Sequence, residues 1–147
     1  MSLKETLMQD LKTAMKTKDK RAKDTITMVR AAVKQKEVDD RVELDDDGVL
    51  KVLAKEIKER RGSIEEFEKA GRDDLVEATK AEIDVLMKYM PEQLSEEELE
   101  KLIRQVMEEN NITEKKQMGL LMKNIMPKVQ GRADGKAVNA IVNRILN

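Results

Sequence analysis

Met118-Gly119-Leu120-Leu121-Met122-Lys123-Asn124-Ile125-Met126-Pro127-Lys128-Val129-Gln130-Gly131-Arg132-Ala133-Asp134-Gly135 is the stretch on which the reading of this chain turns. Met118, Leu121, Met122 and Ile125 recur at the three-to-four spacing of an amphipathic helix. Thr113 is placed to cap that helix, and Pro127 with Gly131 to close it. Asp134 is placed to cap a second helix, whose apolar positions Val138, Ile141, Val142 and Ile145 repeat the period. Two short helices joined by a Gly- and Asp-rich turn, with no alternating pattern on either side, point to an all-α fold.

Working back toward the amino end, the same period continues. Ser95 and Glu98 form a capping box before Leu99, Leu102, Ile103 and Val106, and Asn110-Asn111 ends that helix. Pro91-Glu92-Gln93-Leu94 reads as a hinge. Ser2 and Glu5 form another capping box before Leu3, Leu7, Leu11 and Ala14, a helix over residues 3–17. Ile26, Val29 and Val33 mark a second helix that fades into Asp39-Asp40-Arg41. Asp45-Asp46-Asp47-Gly48 serves as loop and cap for a long third helix, carrying Leu50, Leu53, Ile57, Ile64 and Phe67, with Gly62 inside it and Gly71 as its stop. Asp73 or Asp74 caps a fourth, with Val76, Ile83, Leu86 and Met90, ended by Pro91. The third and fourth read as an antiparallel hairpin. The expected architecture is a bundle of about four helices over residues 1–91 and a three-helix module over residues 92–147.

Composition narrows the chemistry. The 147 residues include no Cys, no His and no Trp, one Tyr and one Phe. Disulfides, thiol nucleophiles, imidazole bases and Cys/His zinc sites are excluded. The core must be aliphatic, with 10 methionines as adaptable filler. No apolar run reaches membrane-spanning length, and the amphipathic start Met1-Ser2-Leu3-Lys4-Glu5 does not resemble a signal peptide. The expected compartment is the cytoplasm.

Charge supplies the first functional signal. Residues 111–147 hold seven cations against two acids, while residues 1–110 hold 22 against 28. Lys115, Lys116, Lys123 and Lys128 lie on or beside one helix, with Arg132 and Lys136 at the following turn. Such groups suit phosphate contact, which is insensitive to sequence and sensitive to salt. A few lysines also make an ordinary solvated surface. The near absence of aromatics argues against base stacking, so a folded RNA contacted through backbone and shape fits better than single strands. Gly119, Pro127, Gly131, Asp134 and Gly135 are expected to shape this surface. Arg132 is expected to point outward, and Gly119 to admit a neighbouring helix or a ligand. Met118, Met122 and Met126 share one helix face, either core or partner groove.

Catalysis finds little support. Ser2, Ser63 and Ser95 are the only serines, and two of them have caps to make. Acid pairs fall at helix starts, where the helix dipole explains them. Asp45-Asp46-Asp47 lacks the spacing of a calcium loop. The interleaved Lys55, Lys58, Arg60 and Arg61 with Glu56, Glu59, Glu65, Glu66 and Glu68 read as a solvated, salt-bridged face. No cofactor and no metal are expected.

Over nearly its full length the chain resembles the YqeY family. The matching residues are Val52-Leu53-Ala54-Lys55-Glu56-Ile57-Lys58-Glu59-Arg60-Arg61, Ser63-Ile64, Phe67, Gly71-Arg72-Asp73-Asp74-Leu75 and Tyr89-Met90-Pro91-Glu92-Gln93-Leu94-Ser95. Met118-Gly119, Met126-Pro127-Lys128-Val129 and Gly131-Arg132-Ala133-Asp134-Gly135 complete the set. The resemblance implies an all-α protein of two parts, the carboxy part similar to the tail domain of the B subunit of the tRNA-dependent amidotransferase, a tRNA-contacting appendage. Any carbon–nitrogen ligase activity with glutamine as amido-N-donor would belong to that larger enzyme, since no residue of this chain carries it.

These readings predict a non-catalytic adaptor. Its basic carboxy-terminal module would bind tRNA or a tRNA-handling complex through Lys115, Lys116, Lys123, Lys128, Arg132 and Lys136. Two alternatives stand beside it: a protein-interaction module without RNA contact, acting through the methionine-rich helix or the amino-terminal bundle, and an accessory to glutamine-dependent amidotransferase activity. Neither membrane nor DNA is an expected partner.

Overall fold

Ser2 opens the first helix as its spacing requires. Its hydroxyl accepts from the Glu5 amide at 3.2 Å, and the Glu5 carboxylate reaches back to the Ser2 amide. In the computed structural model, which describes Met1–Asn147, seven α-helices follow in order with no strand. They are α1 (Leu3–Thr17), α2 (Lys20–Asp40), α3 (Asp46–Lys69), α4 (Asp73–Met87), α5 (Glu96–Glu109), α6 (Met118–Val129) and α7 (Gly135–Leu146). A 3-10 turn, Lys115–Gln117, leads into α6. The chain packs as two compact units, Met1–Met90 and Pro91–Asn147.

In the first unit α3 packs chiefly on α4, and α1 on α2. Leu7, Ile26, Val29, Val33, Val49, Leu53, Ile57 and Leu86 form its aliphatic core. Val49, rather than Leu50, is the fully buried residue at the start of α3. Asp45 caps α3 by accepting from Gly48 at 2.9 Å, and Asp46 accepts from the Leu3 amide at 2.9 Å, tying the starts of two helices together. Two of the three acids of that run are thus hydrogen-bond acceptors, and no group of three or more metal-ligating side chains forms anywhere. Gly62 leaves α3 unbroken, and Gly71 takes φ +68° after its end.

Several local expectations are corrected by the structure. Neither Asp73 nor Asp74 caps α4: Arg72 is the capping residue, and its guanidinium instead grips Asp74 at 3.2 and 3.1 Å. This pairing, through its hydrogen bond first, holds the Asp74 carboxyl below the usual carboxylate range and pushes the Arg72 guanidinium up. The helix α4 stops at Met87, four residues before Pro91. Arg60 does not belong to a solvated face. It is 8% exposed, with Glu56 at 3.5 Å and Glu82 at 3.8 Å as its anionic partners. A buried cation must be paired, and α3 and α4 each supply one acid.

In the second unit the buried row Leu121, Ile125 and Val129 of α6 meets Leu99, Ile103 and Val106 of α5 and Val138, Ile141, Val142 and Leu146 of α7. Ser95 caps α5, accepting from Glu98 at 3.1 Å. Thr113 does not cap α6. The Gln117 side chain accepts from the Thr113 and Glu114 amides at 2.8 and 3.1 Å, and the 3-10 turn starts the helix instead. Pro127 lies inside α6, which runs to Val129. The proline removes one amide only, and does so in the last turn, where the helix is about to end.

Candidate functional site

The turn between α6 and α7 is built as a knot with Pro91–Leu94 rather than as a free loop. Gly131 takes φ +76°, a left-handed conformation that favours glycine. The amides of Arg132 and Ala133 both return to the Val129 carbonyl at 2.8 and 3.0 Å. The Leu94 amide donates to Arg132 O at 2.8 Å, the Gln93 amide group donates to Gly131 O at 2.7 Å, and Arg132 Nε donates to Glu92 O at 3.3 Å. The expected hinge is therefore stitched to this turn. Arg132 is half-buried and turned back onto it, rather than projecting outward. Asp134 caps α7 through the Lys136 amide at 3.0 Å. Gly135 has open space around its Cα and no left-handed φ, so nothing in the turn demands glycine there.

The remaining candidate cations divide by what they touch. Lys128 Nζ lies 3.7 Å from Glu109 Oε2, Lys115 Nζ donates to Asn147 Oδ1 at 3.3 Å, and Lys136 also has a partner. Arg144 is bound by Glu100. The acids of α5 thus answer two of the seven tail cations. Counted as a folded unit, residues 91–147 hold nine cations and nine acids, so the module is neutral with its charges segregated, not basic throughout. Lys116 and Lys123 are exposed and make no ion pair.

These two lysines share the outer face of the 3-10 turn and α6. The exposed residues there run Lys116, Gly119, Leu120, Lys123, Met126 and Pro127, opposite the buried row. A side chain added at Gly119 would meet nothing within 4 Å, so the glycine is not there to admit a packed helix. Met118 and Met122 pack against the core and Met126 is exposed; the methionine row is split between core and surface.

A second feature lies on the first unit. A groove of about 810 Å³ runs between α1 and α2, with Leu7 and Val33 in its floor and exposed Met1 and Met8 at its rim. At one end Glu37 binds both Lys4 and the Leu44 amide, the latter at 2.8 Å, and these hydrogen bonds hold its carboxylate below the ordinary range. No sequence spacing marks this hub, because its partners come from α1 and from the loop after α2.

The family described as Yqey-like protein matches residues 4–146. Similar proteins include three named "Altered inheritance of mitochondria protein 41, mitochondrial". The one from Pyrenophora tritici-repentis is 33% identical over 95% of this chain and 78% of its own length. Those from Eremothecium gossypii and Kluyveromyces lactis are 42% and 45% identical, over 57% and 56% of this chain and 46% and 45% of theirs. The matches with these two thus span about half of each relative. No helix is long and apolar enough to cross a membrane.

Proposed function

The chain belongs to the YqeY family, and from that premise we propose that it is a non-catalytic adaptor contacting tRNA through the outer stripe of its carboxy-terminal module. The observation that carries this reading is the exposed face of Lys116, Gly119 and Lys123, with Lys115 beside it. Two unpaired cations flank a helical position kept bare of side chain. Glycine lowers helix stability there by up to about 1 kcal/mol relative to alanine, and a bare surface lets a sugar–phosphate backbone approach closely. Lys128 and Lys136 lie nearby in sequence, and an exposed ion pair such as Lys128–Glu109 is weak enough, about 0–1 kcal/mol, to exchange for phosphate. Arg132 acts in this reading as the support of the turn.

Lysine acetylation footprinting of the whole protein, with and without tRNA, tests the reading. Protection of Lys116 and Lys123 is the expected result. Protection confined to other lysines contradicts it.

The groove between α1 and α2 favours a second reading, a protein partner docked on the amino-terminal bundle, because methionine rims adapt to apolar side chains. A complex that survives nuclease treatment supports that alternative. An accessory role in glutamine-dependent amidotransferase activity rests on family resemblance alone. The relatives are named mitochondrial, whereas the cytoplasm is the compartment proposed for this chain; tRNA is present in both.

A further inference from the structure

The densest run of unanswered positive charge in the molecule is not in the carboxy-terminal module. Residues 1–36 hold ten cations and four acids. Six of those cations, Lys12, Lys16, Lys18, Lys20, Arg21 and Lys23, crowd the end of α1, the turn and the start of α2. All six are exposed and none makes an ion pair. Only Asp19 and Asp24 interrupt the run, and Asp19 is committed to the Ala22 amide at 3.1 Å as the cap of α2.

This charge is kept against local preference. In the same unit α1, α3 and α4 open with acids in their first turn, as the helix dipole favours; α2 opens with none and carries Lys20, Arg21 and Lys23 there instead. Lys18 sits in the left-handed conformation, φ 60° and ψ 34°, where glycine or asparagine is the ordinary cap. Arg41 shares that trait, so the strain alone decides nothing. Some exposed cations elsewhere have an acid one helical turn away as an ion-pair partner, as at Lys36–Asp40 and Lys55–Glu59; no such partner serves any of these six. A site where local rules fail together is a candidate for function.

We propose that this corner of the amino-terminal unit is a second nucleic-acid surface, binding the phosphate backbone of an RNA duplex. The side chains carry the binding, since the helix end is already capped by Asp19. Lys and Arg spaced along two helices suit a line of phosphates and read no bases. A membrane surface is the weaker match. Helices that lie on membranes present Trp, Phe or Leu beside their cations, and Met15 is the one large apolar side chain exposed among residues 11–24. The corner is independent of the carboxy-terminal stripe, which belongs to the other unit.

The test uses the full chain and a labelled RNA duplex, read by fluorescence anisotropy across a salt series. K20E/R21E/K23E places acids where the helix start favours them, so circular dichroism should show the fold intact. The triple variant should weaken binding by about tenfold or more, and the slope of log K against log salt should fall by about one for each phosphate left without its cation. Unchanged affinity and slope overturn the proposal. Weakened binding in K116E/K123E but not in K20E/R21E/K23E also overturns it and leaves the carboxy-terminal reading standing. The opposite pattern supports the corner and removes that reading. Vesicles containing phosphatidylserine form the last arm: binding to them that the triple variant abolishes, with RNA binding unaffected, reassigns the corner to a membrane.

Discussion

The amide of Leu94 donates to the carbonyl of Arg132 across 2.8 Å. This bond fastens the entry of the carboxy-terminal module to the turn before its last helix. With the Gln93–Gly131 and Arg132–Glu92 hydrogen bonds, it makes the turn a fixed platform.

Gly131 is the pivot of that platform, and Gly135, four residues on, is not. Gly131→Ala forces a Cβ into φ +76° and should destabilise the protein by about 1–2 kcal/mol. Gly135→Ala adds a methyl to open space at the first position of α7 and should change stability little. Urea denaturation of both variants checks the contrast; equal losses would refute it.

Gly62 offers the reverse effect. It lies within α3 with nothing within 4 Å of an added Cβ. Gly62→Ala should stabilise the protein by about 0.5–1 kcal/mol through helix propensity, seen as a raised Tm with unchanged helicity.

Tyr89 donates its phenolic proton to Asp10 at 2.5 Å, linking the segment after α4 to α1. Burial first, and the Asp10 carboxylate second, push the phenol above its ordinary range. A folded-state value above the unfolded one gives stability that is full below about pH 10 and fades as pH rises through the folded value. Tyr89→Phe should therefore destabilise the protein at neutral pH by about 1 kcal/mol or more and lose that alkaline dependence. Tyr89 is the only tyrosine and there is no tryptophan, so phenolate absorbance reports it alone. Its titration should lie above that of free tyrosine; a midpoint at the free value would contradict both the burial and the bond to Asp10.

Glu37 works at the other end of the scale. Its depressed value means that its bonds to Lys4 and the Leu44 amide contribute above the ordinary carboxylate value of 4.5 and are lost as pH falls through the folded value. Glu37→Gln should flatten the acid limb of a stability-against-pH curve measured by thermal melts below that point.

What can be read from the sequence is local. Ser2 with Glu5 and Ser95 with Glu98 announce their helices because both partners lie within one turn, and Gly71 and Asn111 show their left-handed stops in the residue type. Arg60 is hidden because an i, i+4 acid looks alike on a wet face and under a neighbouring helix; only α4, bringing Glu82, distinguishes them. The Asp46–Leu3 bond spans 43 residues, and the Glu37 hub joins three separate segments. The tail's excess of cations is visible, but not that α5 folds against it carrying Glu100 and Glu109. The charge at the α1–α2 corner is present in the sequence too, masked by the acid-rich residues that follow it.

The proposed contact is that of the Lys116–Gly119–Lys123 face with tRNA. Its most direct measurement is the affinity of the whole protein for purified tRNA across a salt series, beside K116E/K123E. The native chain should bind in a salt-sensitive way, and the variant more weakly, with a slope smaller by about two. Superimposable affinities and slopes for the two proteins would contradict it.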